Sequence, residues 1–166
     1  MESKEYSCIL DTRCPGKRLQ NELKYQWTDA YQEKVNTFYH NTENDTMIFF
    51  MFLENIKNPI TIKFKFNSRG SYPFRPPEVL IGESNYPYKC LLPPQWSFAQ
   101  KIYGSECACC SSITCRDNWG PSNKLLNITD EIRKNFNIKI RLIEIFHCKK
   151  IVEKHFGHYL PIEEFL

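Results

Sequence analysis

A chain of 166 residues, 42% apolar and 25% charged, has the length and balance of one soluble globular domain that folds without disulfide or metal staples. Its net charge of +3, with basic residues scattered among acidic ones, lacks the electrostatic footprint of a nucleic-acid binder. No apolar run approaches the ~18 residues of a membrane span, and the polar start Met1-Glu2-Ser3-Lys4-Glu5 does not read as a secretory signal. The expected setting is therefore a reducing one, cytoplasm or nucleus, with no membrane partner.

In chain order, Cys14-Pro15-Gly16 breaks the backbone, and a helix is expected from Lys17 to Tyr25 or beyond. Leu19, Leu23 and Trp27 recur every four residues as one apolar stripe, with Lys17, Arg18, Asn21 and Glu22 on the polar side. A strand is expected within Thr28–His40, followed by a turn at Asn41–Asp45. The apolar run Met47–Leu53 reads as a buried central strand. After a turn at Asn55–Pro59, Ile60–Phe66 alternates strictly: Ile60, Ile62, Phe64 and Phe66 face a core, while Thr61, Lys63 and Lys65 face water. Such alternation marks an antiparallel sheet with one covered face, and the short turns predict a meander. From Gly70 to Pro121 periodicity is lost, and an irregular stretch this long in a compact domain is usually functional. Leu125, Ile128, Ile132 and Phe136 then predict a helix. A second helix is expected from about Ile140 to Phe156, with Gly157 as its stop.

Two segments carry unusual chemistry. Tyr72-Pro73-Phe74-Arg75-Pro76-Pro77 holds three prolines, which cannot lie inside a helix or a central strand. It reads as a rigid loop with Phe74 at or near the surface, or as a stiff connection with Phe74 buried. The second is the cysteine cluster Cys107, Cys109, Cys110 and Cys115, with Cys90 upstream. On spacing alone three readings stay open: a nucleophilic thiol, a zinc site of Cys90, Cys107, Cys110 and Cys115, or small apolar filler. A C-x-x-C without a second C-x-x-C is a weak zinc signal. His40, His147, His155 and His158 show no metal-like pairing.

Taken together, these segments resemble the ubiquitin-conjugating enzymes. Lys17-Arg18-Leu19-Gln20-Asn21-Glu22-Leu23 is similar to the first helix of that family. Tyr72-Pro73-Phe74-Arg75-Pro76-Pro77-Glu78-Val79 resembles its Tyr-Pro-Phe-Lys-Pro-Pro-x-Val loop. Gly104–Cys107 through Cys110-Ser111-Ser112-Ile113 is similar to the segment around the family's active cysteine. Trp119-Gly120-Pro121-Ser122 resembles its Trp-x-Pro-Ala. Order and approximate spacing agree from about residue 14 to 136, leaving a C-terminal helical extension over about 137–166. The clustered cysteines resemble those of divergent members carried by large DNA viruses.

The resemblance implies an α+β fold: an N-terminal helix, a four-stranded antiparallel meander, an active-site coil and C-terminal helices, all in one domain spanning 1–166. It implies a transferase that holds ubiquitin or a ubiquitin-like modifier as a cysteine thioester and passes it to a lysine amine. The implied partners are the modifier, an activating enzyme and a ubiquitin ligase; no cofactor or metal is implied. Activating enzymes and ligases would meet Lys17, Arg18, Phe74, Pro121 and Ser122.

The sequence departs from the family in three respects. The family's His-Pro-Asn is replaced by Tyr86-Pro87-Tyr88-Lys89, which removes the Asn that supports the reaction. The chain before the cysteines is longer by about ten residues, expected as a loop over Leu91–Tyr103. The single cysteine has become a cluster. The family's spacing of eight residues to the Trp falls on Ser111. One inserted residue at Cys115 brings Cys110 into register and aligns Ser112-Ile113, whereas aligning Gly104-Ser105-Glu106-Cys107 selects Cys107. Cys110 is the preferred nucleophile. The alternatives are an inactive variant that binds ubiquitin or a partner, and a zinc-stabilised interaction domain.

Overall fold

The computed structural model describes residues 17–26, 35–41, 46–53, 56–66, 72–88 and 108–157, with 159 and 161; the side chains of 20, 23–26, 35–41, 108 and 109 are not among those described. In chain order it comprises helix α1 (Lys17–Gln26), strands β1 (Val35–Asn41), β2 (Thr46–Met51), β3 (Ile60–Lys65), β4 (Glu78–Ile81) and β5 (Tyr86–Pro87), a short helix α2 (Ala108–Ser111) and a long helix α3 (Leu125–Phe156). The class is α+β.

The sheet is an antiparallel meander in the order β1-β2-β3-β4-β5. Its four main strands include β4, which lies inside the stretch that reads as irregular in the sequence; β5 adds two residues beyond them. Pairing runs Phe49↔Ile62 and Met47↔Phe64 between β2 and β3, then Ile62↔Ile81 and Phe64↔Val79 between β3 and β4. The apolar positions thus share one face. Met47, Phe49, Met51, Ile62, Phe64, Val79 and Ile81 are all buried there, with the Phe49 and Phe64 rings edge to face at 5.0 Å. β2 is not buried on both sides, as its continuous apolar run suggested. It alternates, with Ile48 and Phe50 only half-buried, because the helices cover a single face of the sheet.

Leu19 of α1 and Leu125, Ile128 and Ile132 of α3 join that core. The covering layer also corrects the sequence reading. The two expected C-terminal helices are one continuous helix of 32 residues. Between Leu125 and Phe156 there is no proline or glycine to interrupt the hydrogen-bond ladder. The apolar stripe loses its phase after Ile140, but a lost stripe does not end a helix. Gly157 stops it as predicted, at φ 66°, with its N–H donating to the Glu153 carbonyl. Among the described residues, no helix is long and apolar enough to cross a membrane.

Candidate functional site

The partner face expected from the sequence is organised by a residue whose surroundings the helical pattern misplaces. That pattern puts Glu22 on the polar side of α1, yet it is only 2% exposed. Three positions on from Leu19, it lies about 60° around the helix, at the border of the buried stripe. Its Oε1 accepts from Arg18 Nε at 2.7 Å and Tyr72 Oη at 2.7 Å; its Oε2 accepts from Tyr72 Oη at 2.8 Å and the Leu125 N–H at 3.1 Å. One carboxylate thus ties α1 to the proline loop and to the first turn of α3. There its negative charge also meets the positive end of the helix dipole. Burial, then the hydrogen bond to Glu22, holds the Tyr72 phenol well above its ordinary pKa.

Around this anchor the surface loops meet. The proline loop enters through a cis Tyr72–Pro73 bond. The Trp119 indole N–H donates to the Pro73 carbonyl at 2.7 Å, and Arg18 Nη2 lies 3.4 Å from the Pro121 carbonyl. Phe74 is 75% exposed, and Lys17, Pro121 and Ser122 are exposed too. Arg18 is a half-exposed guanidinium pinned to Glu22, rather than an unattached rim charge.

Cys110 lies in the four-residue helix α2 and is exposed. The residues after it are fixed from two sides. On one, Glu131 of α3 accepts from Ser112 Oγ at 2.6 Å, the Ile113 N–H at 2.7 Å and Tyr88 Oη at 3.0 Å. On the other, Asn118 Nδ2 donates to the Cys110 carbonyl at 2.5 Å and the Ser112 carbonyl at 3.1 Å. Ser112 and Thr114 are buried and share a hydroxyl hydrogen bond of 2.8 Å. Tyr88 stands where the resemblance puts the family's Asn. It is 2% exposed, and its hydroxyl is engaged by Glu131 and by Asn135 Nδ2 at 2.5 Å.

The structure therefore places Lys17 and Arg18 on α1, and Phe74, Pro121 and Ser122 on two loops tied to each other and to α1, and sets Cys110 on a braced segment of its own. Cys107, Cys90 and the Leu91–Tyr103 loop lie outside the described residues, so the four-thiolate zinc set is not described. Among the described residues no three metal-binding groups cluster. Sequence reasoning misses Glu22, Tyr72, Tyr88 and Glu131 as structural partners. Glu131 carries a faint signal, one turn from the Ile128/Ile132 stripe, but nothing local tells a carboxylate which loop will cross it. No protein-family model, curated protein or solved structure matches this chain.

Proposed function

We propose that this chain is a ubiquitin-conjugating-type domain that carries a ubiquitin-like modifier on Cys110. The observation that supports this most is convergence. Three separated segments resembling one family, the first helix, the Tyr-Pro-Phe loop and the Trp-x-Pro loop, meet through Glu22, Tyr72 and Trp119. An exposed cysteine lies between the second and third of them in the chain, the order the family has.

In the charging step the Cys110 thiolate attacks the carbonyl carbon of the modifier bound as a thioester on an activating enzyme. One C–S bond forms, another breaks, and the activating enzyme leaves as thiolate. The exchange is nearly isoenergetic, so the acyl group stays reactive. In the discharge step a lysine amine attacks the same carbon. A C–N bond forms, the C–S bond breaks, and the amine's proton passes to water or to the leaving thiolate. Phe74, on a loop stiffened by prolines, presents an aromatic anchor to partners at low conformational cost.

A second reading is a non-catalytic relative that binds ubiquitin or a partner through the same face. It is favoured by Tyr88, whose hydroxyl is committed to Glu131 and Asn135 at the position of the family's Asn. A charging assay separates the two. With activating enzyme, ATP and modifier, the wild type forms an adduct cleaved by thiols, and Cys110→Ser does not. If the wild type forms no such adduct with any ubiquitin-like modifier, the catalytic reading fails.

A further inference from the structure

The proposed reaction lacks the family's supporting Asn, and the described residues show how the cysteine backbone is held without it. A helix of four residues cannot satisfy its own terminal carbonyls, and so short a helix is not stable by itself. In α2 the Cys110 carbonyl is such a group. Asn118, eight residues further on, supplies the donor: one carboxamide hydrogen for Cys110 and the other for Ser112. Asn118 is itself placed by the turn that precedes the Trp-x-Pro loop. Its backbone N–H donates to the Cys115 carbonyl at 3.1 Å, and so does that of Trp119 at 3.0 Å. The Trp119 indole then fixes this turn to Pro73.

We propose that Asn118 is a positioning residue for Cys110, holding the nucleophile's own peptide while Glu131 holds Ser112 and Ile113. The proposal rests on the thioester reading above. Both amide hydrogens of Asn118 are used by backbone carbonyls, so its role is placement and not stabilisation of the charge that develops on the thioester oxygen. Tyr88 makes no such contribution either, because its proton is directed to Glu131. Rigid placement acts on every step in which the sulfur takes part. An oxyanion donor for aminolysis would act chiefly on discharge.

The test compares wild type with Asn118→Ala and with Asn118→Asp, which keeps the shape but removes both donors. Four quantities are read: amide hydrogen exchange over residues 108–114, alkylation of Cys110 by iodoacetamide followed on its own peptide, and single-turnover charging and discharge. Exchange in both variants should rise at least roughly fivefold, the weight of one of the two lost hydrogen bonds. Charging and discharge should fall together, by about tenfold or more. The concentration giving half-maximal charging should not change, because the partner face is intact. Alkylation of Cys148, exposed on α3, is the internal control. Its rate should stay constant while that of Cys110 changes. The proposal is overturned if discharge alone falls with exchange unchanged, if both variants behave as wild type, or if Cys148 changes in parallel with Cys110. If the wild type carries no thioester, the conjugating reading fails instead, and exchange and alkylation still decide whether Asn118 holds the Cys110 backbone.

Discussion

Glu22 and Glu131 each gather donors from three residues, but under different electrostatic conditions. Glu22 is almost wholly buried and has a guanidinium on Oε1 at 2.7 Å. Glu131 is half-buried and, among the described residues, meets only neutral donors: two hydroxyls and one peptide N–H. The proposed partner face is therefore built around a compensated charge that water hardly reaches. The cysteine segment is built around a carboxylate that water can still partly solvate. Losing a partner costs more in the first environment, since an uncompensated buried group cannot fall back on solvent. The two regions differ accordingly: a rigid junction of α1, the proline loop and α3, and a cysteine segment held by several weaker bonds.

The sharpest way to break this comparison is to truncate both carboxylates. Glu22→Ala leaves Arg18 Nε, the Tyr72 hydroxyl and the Leu125 N–H without their acceptor, and should cost roughly 3–5 kcal/mol in urea unfolding. Arg18, half exposed, will recover some hydration and keep the loss toward the lower end. Glu131→Ala should cost less, about 1–3 kcal/mol. Equal losses, or a larger loss at Glu131, would contradict the electrostatic distinction.

Tyr72→Phe sharpens the same point through pH. It should lose about 1.5–3 kcal/mol near neutrality, the range for a hydrogen bond to a charged group. The folded state raises the phenol pKa above its ordinary value of 10.0, so above pH 10 the unfolded chain releases a proton that the folded chain retains. Unfolding then becomes easier as pH rises, and wild-type stability should decline from about pH 10 upward. Tyr72→Phe lacks this component. The gap between the two proteins should narrow between about pH 9 and pH 11 in matched urea titrations; parallel curves would mean that the phenol is not shifted.

The smallest stability effect is expected at Phe74. With 75% of its surface exposed, Phe74→Ala should change stability by no more than about 0.5 kcal/mol. Binding to an activating enzyme or ligase should nevertheless weaken, by about 2 kcal/mol if Phe74 is a central aromatic anchor. A large drop in melting temperature would show instead that Phe74 belongs to the core, and unchanged binding would remove it from the partner face.

Elements with a strong local period are legible in the sequence. Ile60–Phe66 alternates there, and in the fold Ile62, Phe64 and Phe66 are buried. Gly157 ends α3 because only a residue without a Cβ enters φ 66° at little cost. The proline loop is legible as an irregular segment because three prolines exclude a helix or a central strand; the exposure of Phe74 is decided by the fold. β4 is not, because four residues, Glu78–Ile81, are too few to display a period beside prolines. The continuity of α3 is hidden because its apolar stripe fades long before the helix does. A stripe reports what a helix packs against, not where it stops.

The sequence by itself determined the alternating strand β3, helix α1, the two ends of α3 and the loops that resemble a known family, since alternation, breakers and proline content act over a few residues. Tertiary structure alone decided what those loops are tied to. Whether Glu22 is a solvated charge or the anchor of three segments depends on Tyr72 and Leu125, 50 and 103 residues away. Whether Asn118 is a surface amide or a brace for Cys110 depends on a turn that folds it back over eight residues. Hydrogen bonds act over about 3 Å, and only the folded chain brings such partners within that distance.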